Sequence, residues 1–217
     1  MKITHVVTIA ATAAALLVTS ASVQAQGLAV AASGQKTVKL SDKVSKNQFN
    51  WLSSAPGETI NGTAEGIAGS FTFDPKKPAS LRGTVSCQVA TMKTGNETRD
   101  GHLKSSTWLD AAQYPTISFT ITSVSDVKVN RNQMTGKAVG TFTMHGVTKP
   151  MTIPFSLQYI DASAQTRERA PGDLVMVTAD FTVSLKDFNV AGRQGLIGSK
   201  VGETIKISAK LFGSTGL

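Results

Sequence analysis

Through most of the chain apolar residues recur at every second position, the period of a strand buried on one face. Asn47-Gln48-Phe49-Asn50-Trp51-Leu52-Ser53 alternates aromatic with polar. Ile67 to Phe73, Leu81 to Val89, Ile117 to Val124, Met134 to Met144, Met151 to Tyr159, Leu174 to Leu185 and Glu203 to Phe212 keep the same beat. Pro56-Gly57, the Asp74 to Pro78 run, Asn130 to Gln133 and His145-Gly146 punctuate the segments as turns. Pro154 falls on the polar parity of its segment, which predicts an edge or a bulge there. The count is about eight or nine short strands, a closed antiparallel barrel or a sandwich. Pattern alone leaves those two open.

One stretch breaks the beat. From Met92 to Pro115 polar and ionisable residues gather around a predicted short helix. Thr98 is the predicted cap, with Asp100 in the first turn where the helix dipole favours an anion. Arg99 and His102, three apart, share a helix face. The stretch reads as a catalytic loop, a metal site, or a plug across the mouth of a barrel. Arg99, Asp100 and His102 either brace helix to barrel as a structural ion pair or form a polar rim for a lipid headgroup.

The chemistry on offer favours the plug. His102 and His145 are the histidines left once the leading segment is set aside, and they show no H-x-x-x-H spacing. There is no G-x-S-x-G elbow, no G-x-G-x-x-G and no Walker A pattern. Neither a catalytic residue nor a metal is expected, and no catalytic cofactor. His145, before Gly146 at a hairpin, is expected to hydrogen-bond turn backbone. The alternative is a soft-metal site from Met144 and His145 with Met92 or His102. Gly136 and Gly140 share the inward face of their segment with large residues, which leaves volume for a ligand.

Composition adds compartment and partners. Lys2 followed by the apolar run Val6 to Val18 and by Ser22-Val23-Gln24-Ala25 reads as a secretory signal cleaved after Ala25. The expected location is periplasmic or secreted. Residues 26–36 are Ala/Gly/Ser-rich and read as a flexible leader, with the folded domain over 37–213. A net charge of +8 admits transient contact with anionic membrane surfaces, and no Lys/Arg cluster interleaved with aromatics points to nucleic acid. Cys87 is the one cysteine, so no intramolecular disulfide forms, and its inward parity makes it a buried, inert thiol.

Three blocks then resemble the YceI family. They are Thr94-Gly95-Asn96-Glu97-Thr98-Arg99-Asp100-Gly101-His102-Leu103-Lys104-Ser105 with Tyr114-Pro115, Gly140 to Pro150 around Met144-His145-Gly146, and the closing Val201-Gly202-Glu203. The resemblance implies an all-β, eight-stranded antiparallel lipocalin-like β-barrel, with one or two short helices covering part of the opening. It implies a hydrophobic tunnel for a long isoprenoid or quinone-type lipid. Inward parity and the lid nominate as ligand-binding Phe49, Trp51, Phe71, Val85, Val89, Arg99, His102, Leu103, Trp108, Phe119, Phe142, Met144, Phe155 and Phe181. Two departures bear on the polar end of the ligand: Ala64 stands where some members carry His, and Lys186 precedes Asp187-Phe188-Asn189 where many carry Arg. An edge near Pro154 would admit a homodimer.

Overall fold

The computed structural model describes residues 26–217, so the expected signal segment lies outside the described residues. In chain order the elements are β1 (Lys36–Leu40), β2 (Gln48–Ala55), β3 (Glu58–Ala64), β4 (Ala68–Asp74), β5 (Lys77–Gln88) and α1 (Glu97–Lys104). There follow β6 (Thr116–Asn130), β7 (Gln133–Met144), β8 (Val147–Ile160), α2 (Ala164–Arg167), β9 (Leu174–Ser184) and β10 (Thr204–Ser214). All pairings are antiparallel, in the order β1-β4-β5-β6-β7-β8-β9-β10-β2-β3, and β1 also pairs β10.

That last pairing closes the barrel. β1 meets one end of β10 (Lys39 opposite Ser214), while β2 covers its other end (Ile205 opposite Ser53). β1 and β2 thus make one interrupted barrel position beside β10, and β4 beside β1 with β3 beside β2 make the next. Ten strand segments therefore make an eight-stranded closed barrel. The expected eight-stranded barrel is the one observed; the breaks at Ser41–Asn47 and Glu65–Ile67 split two of its staves into two segments each. The free edge of β3 bridges Lys93, just beyond β5, at Thr63.

Parity held where expected. Leu157 and Tyr159 on β8 are fully buried, as is Val38 on β1. Pro154 pairs Lys137 on the β7 side, and the β8–β9 ladder starts only at Phe155. Proline has no N–H to donate, so it sits where β9 has already left.

The lower end is solid. Phe73 packs edge-on against Tyr159 with ring centroids 5.8 Å apart. The Tyr159 hydroxyl donates to Asp173 at 2.5 Å. Burial, then Asp173, push the phenol well above its ordinary value.

Residues 26–36 correct the expectation of a flexible leader. Leu28 is 1% exposed, and Val30 and Ala32 pack on the same cluster. The Leu28 amide donates to the Pro75 carbonyl (2.8 Å) and the Ala29 amide to that of Arg131 (2.8 Å). The Lys76 ammonium donates to the carbonyls of Leu28 (3.1 Å) and Val30 (2.6 Å). Leu28, Val30 and Ala32 carry a short alternation hidden among small residues, and it covers the floor of the barrel.

Candidate functional site

Above the floor lies a cavity of about 580 Å³. It begins at Phe71, Phe155 and Leu157, runs up between the inward faces of the strands, and opens under α1 and the 187–201 loop. The wall is aliphatic and aromatic, with Ile205, Ile207, Ala209 and Leu211 contributed by β10 alone. Phe142 meets Phe181 and Phe188 edge-to-face, at 6.1 and 5.4 Å between centroids. A volume of this size lies within the roughly 300–1,000 Å³ of ordinary small-molecule sites.

Thirteen of the fourteen nominated residues line it: all but Val89. The Leu81 to Val89 alternation ends one residue early, because β5 stops at Gln88 and Val89 opens a 3₁₀ turn. Its side chain is 1% exposed and packs with Leu109 and Phe142 behind the wall. Cys87, the last inward residue of β5, does face the cavity, and burial pushes its thiol up to about 11.

The helix α1 is built differently from expectation. Asn96, not Thr98, is the cap: its side-chain oxygen accepts from the Arg99 amide at 3.0 Å. An Asx residue one position before the helix satisfies the orphan N–H that a threonine inside the first turn cannot. Asp100 accepts from the Thr94 amide and hydroxyl, both at 2.7 Å. Burial works against the ionised carboxyl, yet the Thr94 bonds outweigh it and hold Asp100 below its usual range.

Arg99 reaches across to β3 and pairs with Glu58 at 2.9 Å. The ion pair is thus structural, fixing the helix to the barrel, while Arg99 and His102 also border the opening. Trp108, from the turns after α1, lies against Gly192: a Cβ there would stand 2.7 Å from the ring, and φ is +61°. The two covering segments touch through that contact.

His145 bonds backbone, but not that of its own turn. Its Nδ1 is 3.0 Å from the Phe188 carbonyl oxygen, and its ring meets Tyr114 edge-on at 4.9 Å. It faces away from the cavity that Met92, His102 and Met144 line, so the structure does not assemble the soft-metal set. Among the described residues no group of three His, Cys, Asp or Glu side chains could hold a metal ion. Gly136 and Gly140 leave no ligand volume either. A Cβ at Gly140 would stand 1.9 Å from the Thr120 carbonyl oxygen, and one at Gly136 3.1 Å from that of Ser125. The missing side chains admit the backbone of β6, which is bulged between Ile121 and Ser123.

Sequence reasoning missed the contribution of the 187–201 loop. Arg193, Leu196, Lys200 and Val201 all border the mouth. The Ser53 hydroxyl, on β2, accepts from the Gly202 amide at 2.8 Å and ties this loop to the wall. Leu196-Ile197 and Val201 were the available signal, an apolar trio in an otherwise Gly-rich segment.

A family model described as the YceI-like domain matches residues 39–212, nearly the whole barrel. The chain belongs to the YceI-like family. Among YceI-like relatives, a UPF0312 protein of Pseudomonas putida (strain GB-1) is 31% identical over 153 residues, 70% of this chain and 75% of that protein. Protein YceI of Escherichia coli O157:H7 is 34% identical over 131 residues, 60% of this chain and 63% of that one. The fold is similar to that of Burkholderia cenocepacia BcnA, with a TM-score of 0.63 at 18% identity, covering 78% of this chain and 97% of that one. It is also similar to a polyisoprenoid binding domain from Saccharophagus degradans, with a TM-score of 0.60 at 15% identity, covering 84% and 99%.

Proposed function

We propose that this YceI-like protein is an exported, non-catalytic carrier that holds a long apolar amphiphile in its barrel. An isoprenoid quinone, a polyprenyl compound or a similar lipid fits the reading. The observation that carries it is the cavity itself: a wall of apolar side chains rising from a solid floor, with charged groups gathered at the mouth. Each buried methylene contributes about 0.8 kcal/mol, so ten of them supply on the order of 8 kcal/mol towards an association cost of roughly 4–15 kcal/mol. The similar Saccharophagus fold, described as polyisoprenoid binding, supports the same class of ligand. Residues 1–25 support export by their charge, apolar run and small-residue end.

Native mass spectrometry of the protein purified from its own compartment, followed by lipid extraction, tests this. A mass increment released as an isoprenoid or other long-chain lipid is expected. A ligand-free mass together with no uptake of added ubiquinone or polyprenol would overturn it.

A further inference from the structure

The shaft has a definite bottom. Leu157 on β8, Val177 on β9 and Leu211 on β10 face one another in register, and all three line the lowest part of the cavity. Beneath them lies a second, filled tier: Leu28, Val38, Phe73, Met134 and Tyr159 are each at most 1% exposed. The Phe71 ring leans on Phe73 at 6.2 Å between centroids, and Phe73 leans in turn on Tyr159, whose hydroxyl is fixed to Asp173. An interior packed to this density yields to a guest only by losing its own contacts, so a tail stops at Leu157 and does not thread past.

Depth and volume then limit what fits. A 150 Å³ apolar cavity takes one benzene, so roughly 25 Å³ serve each carbon and 580 Å³ hold on the order of 23 carbons. From Ile205 to Leu211 the wall rises six residues of about 3.3 Å on a strand tilted about 40°, or roughly 15 Å of depth. A fully extended chain advances about 1.1–1.2 Å per bond, so that depth takes about 13 bonds. An isoprene unit adds four chain carbons and a branch. Depth therefore admits about three units and volume between four and five.

We infer that the floor sets the length of the tail, so that this protein takes lipids with about three to five isoprene units and leaves longer ones partly outside. The inference rests on the carrier reading and names the class of tail. Leu157 fixes where the tail ends. One pleat higher, Ala179 stands in register with Phe155 and Ala209 and, being small, keeps the last stretch of the shaft open. Each methylene left in water weakens binding about fourfold relative to one that is housed. A much longer tail, offered from a bilayer that can bury all of it, therefore stays in the bilayer.

Ligand-free protein is incubated with phosphatidylcholine vesicles holding equal amounts of farnesol, geranylgeraniol, geranylfarnesol and solanesol, of three, four, five and nine isoprene units. After the vesicles are spun out, native mass spectrometry reads which prenol the protein carries. The three shorter prenols together should exceed solanesol at least about tenfold. Ala179→Phe places a benzene-sized ring in the shaft and should shift the preferred length down by about one unit. Leu157→Ala frees space for about three carbons and should shift it towards geranylfarnesol. If Leu157→Ala does not fold, Ala179→Phe decides, because it fills empty space and removes no packing. Solanesol taken up as well as geranylgeraniol, or an Ala179→Phe variant with the parent's length preference, would overturn the floor's role and leave the carrier standing. Uptake of no prenol at all would overturn both readings.

Discussion

Trp51 lies flat over Gly62 on the neighbouring strand, so close that a Cβ on the glycine would stand 2.0 Å from the indole Cζ2. The indole nitrogen is buried and has no hydrogen-bond partner among the described residues, so packing alone holds the ring against the tunnel wall. Gly62→Ala must therefore push the indole inward. A loss of about 1–3 kcal/mol is expected, as for other overpacked sites, with a shifted tryptophan emission spectrum. A variant that melts and fluoresces like the parent would place the ring elsewhere.

The Arg99–Glu58 pair should matter more to the tunnel's traffic than to folding. Its side chains are 38% and 34% exposed, and pairs of that kind contribute about 0–1 kcal/mol. Glu58→Gln is expected to change unfolding free energy by less than about 1 kcal/mol. It should speed ligand release several-fold, because the latch between α1 and β3 is gone. Stopped-flow displacement of a fluorescent lipid reads the rate. An unchanged rate would mean that α1 does not move during release.

Alkaline pH should weaken the barrel through Cys87. Its thiol rises from 9.0 to about 11 because burial penalises the thiolate. A raised value in the folded state means the stabilisation is whole below pH 9 and is lost as pH climbs through 11. The loss amounts to on the order of 2–3 kcal/mol at one pKa unit per ~1.4 kcal/mol. Denaturant melts from pH 8 to 11 should show a shallower decline in Cys87→Ala than in the parent, with Tyr159 adding its own decline above pH 10 in both. Parallel curves would count against the buried thiol.

Leu28 is expected to behave as a core residue although it stands ahead of the first strand. Leu28→Ala should cost about 2–5 kcal/mol, the range for buried leucines, and should open the floor to solvent. Hydrogen exchange at Tyr159 and Phe73 would report the opening. Protection equal to the parent's would show that the segment is only resting on the barrel.

The strands were legible because strand parity is a local signal, whereas the closure into a barrel came only with the family resemblance. Phe49, Trp51, Phe142 and Phe181 could be assigned inward from alternation alone, and they are. Val89 broke the rule because the backbone turned one residue earlier, which no side-chain pattern encodes. Gly140 misled for a related reason: a missing side chain marks a close approach, and whether backbone or ligand approaches is a tertiary fact. Arg193 and Lys200 lie in a segment without periodicity, held by the Trp108–Gly192 contact from 84 positions away along the chain, roughly the reach that contact topology and not pattern decides. Their place at the mouth could not be read before the fold was in hand.

The solid floor has a directional consequence. With Leu28, Phe73 and Tyr159 filling the lower end, the shaft is closed there by the described residues. On the carrier reading, a lipid would enter tail first and its polar end would be first out. Delivery on that reading would be a face-on event, with the end bearing α1 turned towards whatever receives the cargo.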